Sequence, residues 1–242
     1  IVLINNDVEV SKNWLVPMFN SMEQNNKIGS CQPKILSYEN RISFEYAGAS
    51  GGYIDFLGYP YCRGRIFDTI ELDKGQYDSP MEIFWSSGAC MMIRNKLFKK
   101  LGGFDESFYA HMEEIDLCWR IKRLGLKNFC FPKSKVYHLG GGTLNYNNPK
   151  KTFLNFRNNL VMVAKNASLM SLIIKLPMRL FLDFLASFYL LIKNKSLLHF
   201  LEVIKAYISF IFMLPRLLFN RKKSKNNSIK INKSVIPLEY YL

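Results

Sequence analysis

The sequence predicts an α/β fold, in which a mixed and mainly parallel sheet is flanked by helices and is followed by C-terminal amphipathic helices. The first observation is the short β-branched run Ile1–Ile4, which is typical of a strand buried on both faces of a parallel sheet. The second is the alternation of strand-like and helix-like segments along residues 13–138. The composition, which is 49% hydrophobic and 14% aromatic, favours a packed core over disorder.

The first half of the chain has clear start and stop signals. Residues 13–26 are predicted as a helix because Pro17 lies close to their start and two asparagines end them. Residues 28–36 are predicted as a strand. Residues 37–80 are rich in Gly, Tyr and Asp and are predicted as an irregular insertion with short strands.

The second half continues the same alternation. A strand is predicted within 83–94, and a short helix over Asn95–Leu101 is stopped by two glycines. A helix over Glu113–Leu124 has acidic residues in its first turn and basic residues in its last, with an expected surface ion pair between Asp116 and Arg120. The remaining predicted elements are a strand over 126–132, a second strand from 134 that runs into a Gly-rich loop, and a helix over 153–165.

The charge is unevenly distributed. The chain has 33 Lys/Arg and 19 Asp/Glu. Residues 1–149 contain 17 Lys/Arg and 16 Asp/Glu, whereas residues 150–242 contain 16 Lys/Arg and only 3 Asp/Glu. Such a basic end indicates a polyanionic partner, either nucleic acid or an anionic membrane surface. Residues 169–219 are mostly large and apolar but are interrupted by charges, so helices lying in the membrane interface are expected, with the basic residues 221–225 adding attraction to anionic lipid. The aromatic residues sit in apolar runs and are not interleaved with basic ones, which favours lipid and predicts no nucleic acid partner.

The five cysteines are odd in number and include no CxxC pair. They are therefore predicted to be buried, reduced thiols of a cytosolic protein and not a disulfide framework or a zinc site.

Four elements carry possible chemistry, and each has a plain structural alternative. Asp7 follows the first strand, where a carboxylate holds a divalent metal or closes an ordinary turn. Glu113 and Glu114 are neighbours on a helix and point in different directions, so they have separate tasks or form a simple acidic first turn. His138 ends a strand as a ligand or as a structural histidine, and Trp85 offers an aromatic face to a sugar or belongs to the core.

The order and spacing of these elements strengthen the case. The series NND, then WxxGACMMIR, then GGFDExFxxxxEExDLCxR, then GxxxxxxPxSxVxH resembles the family 2 glycosyltransferases of GT-A fold, and most of all bacterial rhamnosyltransferase-type members. The resemblance runs from Ile1 to about Asn166. It implies that residues 1–166 are the C-terminal portion of a GT-A catalytic domain and that residues 167–242 form a basic amphipathic, membrane-associating helical tail. It also implies that a nucleotide-binding half precedes Ile1, so that the chain is N-terminally incomplete and poorly active alone.

The resemblance assigns the reacting groups. Asp7 and His138 would hold Mg²⁺ or Mn²⁺, which would neutralise the departing nucleoside diphosphate. Glu114 would be the general base that removes the proton of the acceptor hydroxyl, giving inversion in a single displacement. The family usually has Asp at this position, and the extra methylene moves the carboxylate by about 1 Å.

The resemblance also assigns the surrounding groups. Trp85, Gly88 and Glu113 would line the acceptor side. Arg157 would meet a diphosphate or a lipid phosphate, because a guanidinium suits such oxygens, or it would be a basic residue on a solvated helix face.

The implied function is metal-dependent transfer of a sugar in the synthesis of surface polysaccharide. The expected donor is dTDP-rhamnose or a UDP-sugar, and the expected acceptor is a lipid-linked saccharide. The enzyme would be cytoplasmic and peripheral on the inner face of the cell membrane. The alternative is a non-catalytic remnant or a membrane-associated interaction protein.

Overall fold

A computed structural model of the chain describes residues 1–45, 48–66, 69–140 and 148–221. They form two compact units. The sheet unit comprises Ile1–Asp105 and Glu114–Gly142, and the helical unit comprises Glu106–Glu113 and Thr143–Lys223. The boundary predicted after Asn166 falls inside the helical unit. The end of the predicted Gly-rich loop (141–143) and the basic residues from 222 onward lie outside the described residues.

The part of the sheet unit that the structure describes contains ten strands. They are β1 (Val2–Ile4), β2 (Val8–Val10), β3 (Ile28–Ser37), β4 (Gly52–Ile54), β5 (Pro60–Cys62), β6 (Arg65–Ile66), β7 (Thr69–Ile70), β8 (Met81–Ile83), β9 (Cys90–Ile93) and β10 (Lys127–His138). Six of them form the main sheet in the order β1-β9-β3-β10-β2, with β8 also paired to β10. The strands β4 to β7 form a separate antiparallel sheet within the insertion that the sequence indicated.

The prediction of a mixed sheet is confirmed, but parallel pairing in the described strands is limited to β3 with β10. The four other pairs of the main sheet are antiparallel. The first strand also differs from expectation, because β1 pairs antiparallel with β9 at one edge of the sheet and leaves Ile4 44% exposed. An apolar run alone does not distinguish an edge strand from a central one.

The two strands predicted on either side of residue 133 are one strand, β10. Its register against β3 shifts between Phe131 and Lys135, next to Pro132, which has no N–H to give to the ladder. A bulge absorbs this irregularity and lets the pairing continue to His138. The proline and the charged residues after it therefore mark a bulge and not a loop.

The helices α1 (Leu15–Gln24) and α2 (Asn95–Leu101) lie in the sheet unit, and so does α3 (Glu113–Arg123) apart from its first residue. The bounds of α2 match the prediction, and Gly102, with φ of 79°, ends it in the left-handed conformation. On α3 the Asp116–Arg120 ion pair forms at 2.8 Å, but Asp116 is fully buried, so this is not the surface pair that the spacing predicted. The Arg120 guanidinium also donates to the carbonyls of Leu101 and Gly103 and thereby ties α3 to the end of α2.

The core of the sheet unit packs α1 against β3 and β10. Met18 and Met22 of α1 contact Ile28 and Cys31 of β3 and Phe131 of β10. All five cysteines are free and buried, as the sequence predicted. Burial raises the pKa of the Cys90 thiol to about 12, so this group stays protonated and behaves as a small apolar side chain.

The helical unit contains a short 3₁₀ turn (Glu106–Phe108) and the helices α4 (Pro149–Asn166), α5 (Leu169–Asn194) and α6 (Leu197–Phe219). Side chains at three of the helix starts accept backbone N–H groups, since Asn148, Ser168 and Ser196 each cap the helix that follows. Within the part of the chain that the structure describes, α6 alone is long and apolar enough to cross a membrane by length and composition.

In α5 four polar side chains are buried, whereas many large apolar side chains are exposed. Lys175, Arg179, Asp183 and Ser187 follow one another at intervals of four and are each at most 2% exposed. Arg179 pairs with Asp183 at 3.1 Å, and the Tyr207 hydroxyl of α6 donates to the same carboxylate at 2.7 Å. Large apolar side chains of both helices are exposed instead: Ile173, Ile174, Leu180, Phe181, Phe184, Leu185, Ile192, Leu197, Leu198, Ile208, Ile211, Phe212 and Phe219.

Candidate active site

The ends of β2, β3 and β10 bring three titratable side chains together. His138 is the last residue of β10 and lies opposite Val8 in the antiparallel register with β2, so Asp7 falls beside it. The same histidine lies opposite Ser37 at the end of β3, where the chain turns back and the Glu45 N–H donates to the Ile35 carbonyl. The strand register therefore determines which groups meet here.

His138 lies between two carboxylates. Its Nε2 is 3.2 Å from Asp7 Oδ1 and its Nδ1 is 3.3 Å from Glu45 Oε2, with the side chains of His138 and Glu45 each 6% exposed and that of Asp7 20% exposed. Burial lowers the pKa of the imidazole, but the contacts with Glu45 and then Asp7 outweigh burial and raise it above its ordinary value. The sequence predicted the nearness of Asp7 and His138, whereas Glu45 had no local signal.

The corner formed by Asp7, Glu45 and His138 fits a divalent metal with Asp7 and His138 as its two protein ligands. Both ring nitrogens of His138 are buried, and neither has a well-aligned hydrogen-bond partner among the described residues. Nε2 and the partly exposed Asp7 carboxylate face each other, and these are donor types that Mn²⁺ accepts, with the carboxylate also suited to Mg²⁺. No group of three or more His, Cys, Asp or Glu side chains arranged for a metal occurs among the described residues, so phosphate oxygens or water would complete the coordination.

Gly88 lies beside Glu114. A Cβ atom built on Gly88 would sit 3.7 to 3.9 Å from the Cβ, Cγ and Cδ atoms of Glu114, so the missing side chain leaves an opening next to this carboxylate. The loop is held firmly, because the Ser87 N–H donates to Gln32 Oε1 and the Ala89 N–H to Ser87 Oγ. The structure thus brings Gly88, predicted for the acceptor side, next to Glu114, predicted as the base.

The residues of the candidate site belong to one unit. Asp7, Glu45, Gly88, Glu114 and His138 are all part of the sheet unit.

Trp85 is 5% exposed, its indole N–H donates to the Tyr53 carbonyl at 2.9 Å, and its ring covers Gly52. This burial leaves it little surface for stacking on a sugar. The geometry favours the core alternative, in which Trp85 supports the loop that carries Gly88.

Glu113 and Arg157 lie in the helical unit. The Glu113 Oε2 atom is buried with no hydrogen-bond partner among the described residues, and burial raises the pKa of this carboxyl. Arg157 donates to the carbonyls of Ser107 and Phe108 and to Asn158 Oδ1, at distances of 3.1, 3.2 and 2.8 Å. Burial lowers the pKa of its guanidinium. These contacts occupy Nε and Nη2 of the guanidinium that the family resemblance assigned to a phosphate.

Comparison with known proteins yields relatives in glycan synthesis. The chain is 28% identical over 146 residues to the "O-antigen biosynthesis protein RfbC" of Myxococcus xanthus, which covers 57% of this chain and 11% of that protein. It is 35% identical over 88 residues to the "N-acetylglucosaminyl-diphospho-decaprenol L-rhamnosyltransferase" of Mycobacterium tuberculosis, covering 36% and 28%. The chain thus spans less than a third of either relative.

A solved structure entitled "Crystal structure of GalNAc-T7 with UDP, GalNAc and Mn2+" aligns with a TM-score of 0.44 at 17% identity, over 68% of this chain and 31% of that one. The family profile described as "Glycosyltransferase like family 2" matches residues 44–180, which is more than half of the 242 residues. The chain belongs to glycosyltransferase-like family 2.

Proposed function

We propose that this chain carries the metal and acceptor portion of an inverting, metal-dependent glycosyltransferase. The observation that carries the proposal is the corner at the end of β10, where Asp7 and His138 lie 3.2 Å apart in the same unit as the Gly88–Glu114 opening. The donor would be a nucleotide-sugar such as dTDP-rhamnose or a UDP-sugar. Membership of a glycosyltransferase family and the names of the relatives support this class of reaction.

In the proposed reaction Glu114 acts as the general base. Its carboxylate removes the proton from the acceptor hydroxyl as that oxygen bonds to the anomeric carbon, and the bond from that carbon to the diphosphate oxygen breaks with its electron pair leaving on the nucleoside diphosphate. Asp7 and His138 would hold Mg²⁺ or Mn²⁺, which supplies Lewis-acid neutralisation of the leaving group when bound. Attack and departure on opposite faces of the sugar give inversion.

Glu45 has a supporting role in this proposal. A histidine that ligates a metal usually gives its other ring N–H to a carboxylate, which fixes the tautomer and the ring orientation. Glu45 Oε2 at 3.3 Å from His138 Nδ1 suits this role and leaves Nε2 directed toward Asp7. The burial of Glu45 and His138 keeps water from competing for the contact.

The helical unit supports a membrane location for the acceptor. Four polar side chains of α5 are buried, and both α5 and α6 expose many large apolar side chains, which suits surroundings of lipid better than water. The excess of basic residues after position 149 favours an anionic surface. A lipid-linked saccharide at the inner membrane face would then be the acceptor, and the enzyme would be peripheral on that face.

The deciding experiment is a transfer assay with the longest translated product that contains this chain, and in parallel with the 242 residues alone. UDP- and dTDP-linked sugars are offered with a polyprenyl-diphosphate saccharide, in the presence of Mn²⁺, Mg²⁺ or EDTA. We expect metal-dependent formation of a product with inverted anomeric configuration. No metal-dependent transfer or nucleotide release from any donor would contradict the proposal and favour the remnant.

Membrane binding is tested separately by flotation with vesicles. We expect the protein to float with anionic vesicles at low salt and less with zwitterionic ones. A protein that stays unbound with both, or that binds DNA in a salt-sensitive manner but not anionic lipid, would overturn this part of the proposal.

A further inference from the structure

The segment that leads into α3 has an unusual backbone. Tyr109, His111 and Met112 have φ values of 63°, 68° and 74°, in the left-handed region that side chains other than glycine rarely occupy. Such conformations persist when surrounding contacts enforce them, and they occur often at functional sites. The residue that follows this segment is Glu113.

One buried side chain enforces the conformation. Asn158 of α4 is 1% exposed, and its amide nitrogen lies 2.8, 2.7 and 2.9 Å from the carbonyl oxygens of Phe108, Ala110 and His111. The two amide hydrogens of Asn158 are thus shared among three carbonyl oxygens that all point toward its nitrogen. Turning these peptide groups inward accounts for the left-handed residues between and after them.

Arg157 orients this amide. Its Nε donates to Asn158 Oδ1 at 2.8 Å, which directs the amide nitrogen toward the carbonyls, and its Nη2 donates to Ser107 and Phe108 at 3.1 and 3.2 Å. The charged donor adds strength to each contact. Arg157 and Asn158 together bind four successive or near-successive carbonyls of one short segment.

We propose that Asn158, oriented by Arg157, is a positioning residue that sets the backbone leading directly into the paired carboxylates Glu113 and Glu114. This inference rests on the proposed function, and it gives Arg157 a task in place of the phosphate contact. A carboxylate that acts as a base must be held closely, because a displacement of 1 Å costs as much as about 100-fold in rate. This clamp, formed by Arg157 and Asn158, acts on the backbone before Glu114, and Asn158 is only 1% exposed.

The test compares Asn158→Asp and Asn158→Ala with Asn155→Ala, a partly exposed asparagine of the same helix, in the longest product that shows transfer. Asn158→Asp keeps the shape of the side chain and loses the N–H donors. We expect both Asn158 variants to lower kcat by about 10- to 100-fold while KM for the donor changes less than about 3-fold. We expect faster amide hydrogen exchange in residues 107–113 and no change in Asn155→Ala.

If Asn158→Asp retains the wild-type kcat and exchange, packing alone accounts for the residue and the inference is wrong. If both Asn158 variants fail to fold, Arg157→Gln decides, because it leaves the Asn158 amide in place but removes the group that orients it. A fall in kcat of about 3- to 10-fold with faster amide exchange in residues 107–113 supports the clamp. No change in kcat or exchange overturns it. Absence of transfer in the wild-type protein would refute the proposed function instead, and the exchange measurement would still decide whether Asn158 orders the segment.

Discussion

The two units of the chain both bury charged side chains, but they differ in what they expose. In the sheet unit Lys34 is fully buried against Asp73 at 2.7 Å, and exposed positions include ion pairs such as Glu9 with Arg41. In the helical unit Arg179 is buried against Asp183, while the neighbouring outward positions of α5 are large and apolar. The polarity of the interior therefore does not reveal what surrounds a unit, and the proposed lipid contact of the helical unit rests on its exposed apolar side chains alone.

The sharpest test of the sheet unit as the site of chemistry is Glu114→Gln. Removing the proposed base while keeping the shape of the side chain should lower kcat by about 10² to 10⁴. Steady-state kinetics of the longest product measures it. Glu113→Gln is the matched control, with an expected loss of about tenfold or less, and the opposite ranking would give the base role to Glu113.

The next effect concerns the corner at the end of β10. Glu45→Gln should weaken Mn²⁺ binding by about 10-fold or more, because the imidazole loses its charged partner at Nδ1. Electron paramagnetic resonance of free Mn²⁺ measures the affinity without any substrate. Glu9→Gln, an exposed carboxylate on β2, should leave the affinity unchanged, and equal effects of the two substitutions would remove the supporting role of Glu45.

Substitutions at two glycines of the sheet unit distinguish an effect on folding stability from an effect on the candidate site. A Cβ atom on Gly52 would lie 2.0 Å from the Trp85 ring, so Gly52→Ala should reduce the free energy of unfolding by about 1–3 kcal/mol. Gly88→Ala meets ordinary contacts and should fold normally, but it narrows the opening beside Glu114 and should raise KM for the acceptor. Chemical denaturation measures the free energy of unfolding of both variants. Equal losses would mean that the loop at Gly88 cannot accommodate a Cβ atom.

The smallest effect tests the exposed face of the helical unit. Ile211→Ser and Phe212→Ser, at side chains 60% and 82% exposed, should each lower partitioning onto anionic vesicles by about tenfold, since each removes apolar surface from lipid. Ile42→Ser, at an exposed isoleucine of the sheet unit, is the control and should have no effect. Unchanged partitioning in all three variants would mean that lipid does not cover this face.

The sequence predicted those elements whose signals are local. The bounds of α2 depend on adjacent glycines, and α3 on the charges at its ends, so both were found. The nearness of Asp7 and His138 came from the family resemblance. Glu45 was missed because its position depends on a turn beyond β3 and on pairing with a strand almost a hundred residues later.

Other differences have the same non-local origin. The spacing of Asp116 and Arg120 predicted their pair, but burial depends on what packs over α3. Asn158 gave no signal because its partners are carbonyls about fifty residues earlier, and a backbone conformation leaves no trace in side-chain periodicity. Strand direction around β1 and β9 was likewise not readable from apolar runs.

The pairing of β2 with β10 also affects when the corner forms during synthesis. Asp7 and His138 are joined by contacts between distant parts of the chain, so neither can meet the other until β10 has been made. At bacterial to eukaryotic elongation rates of about 5–20 residues per second, that interval lasts roughly 7 to 26 seconds. For all of that time the Asp7 carboxylate is without its histidine, and the contact between the two side chains forms only once the sheet includes β10.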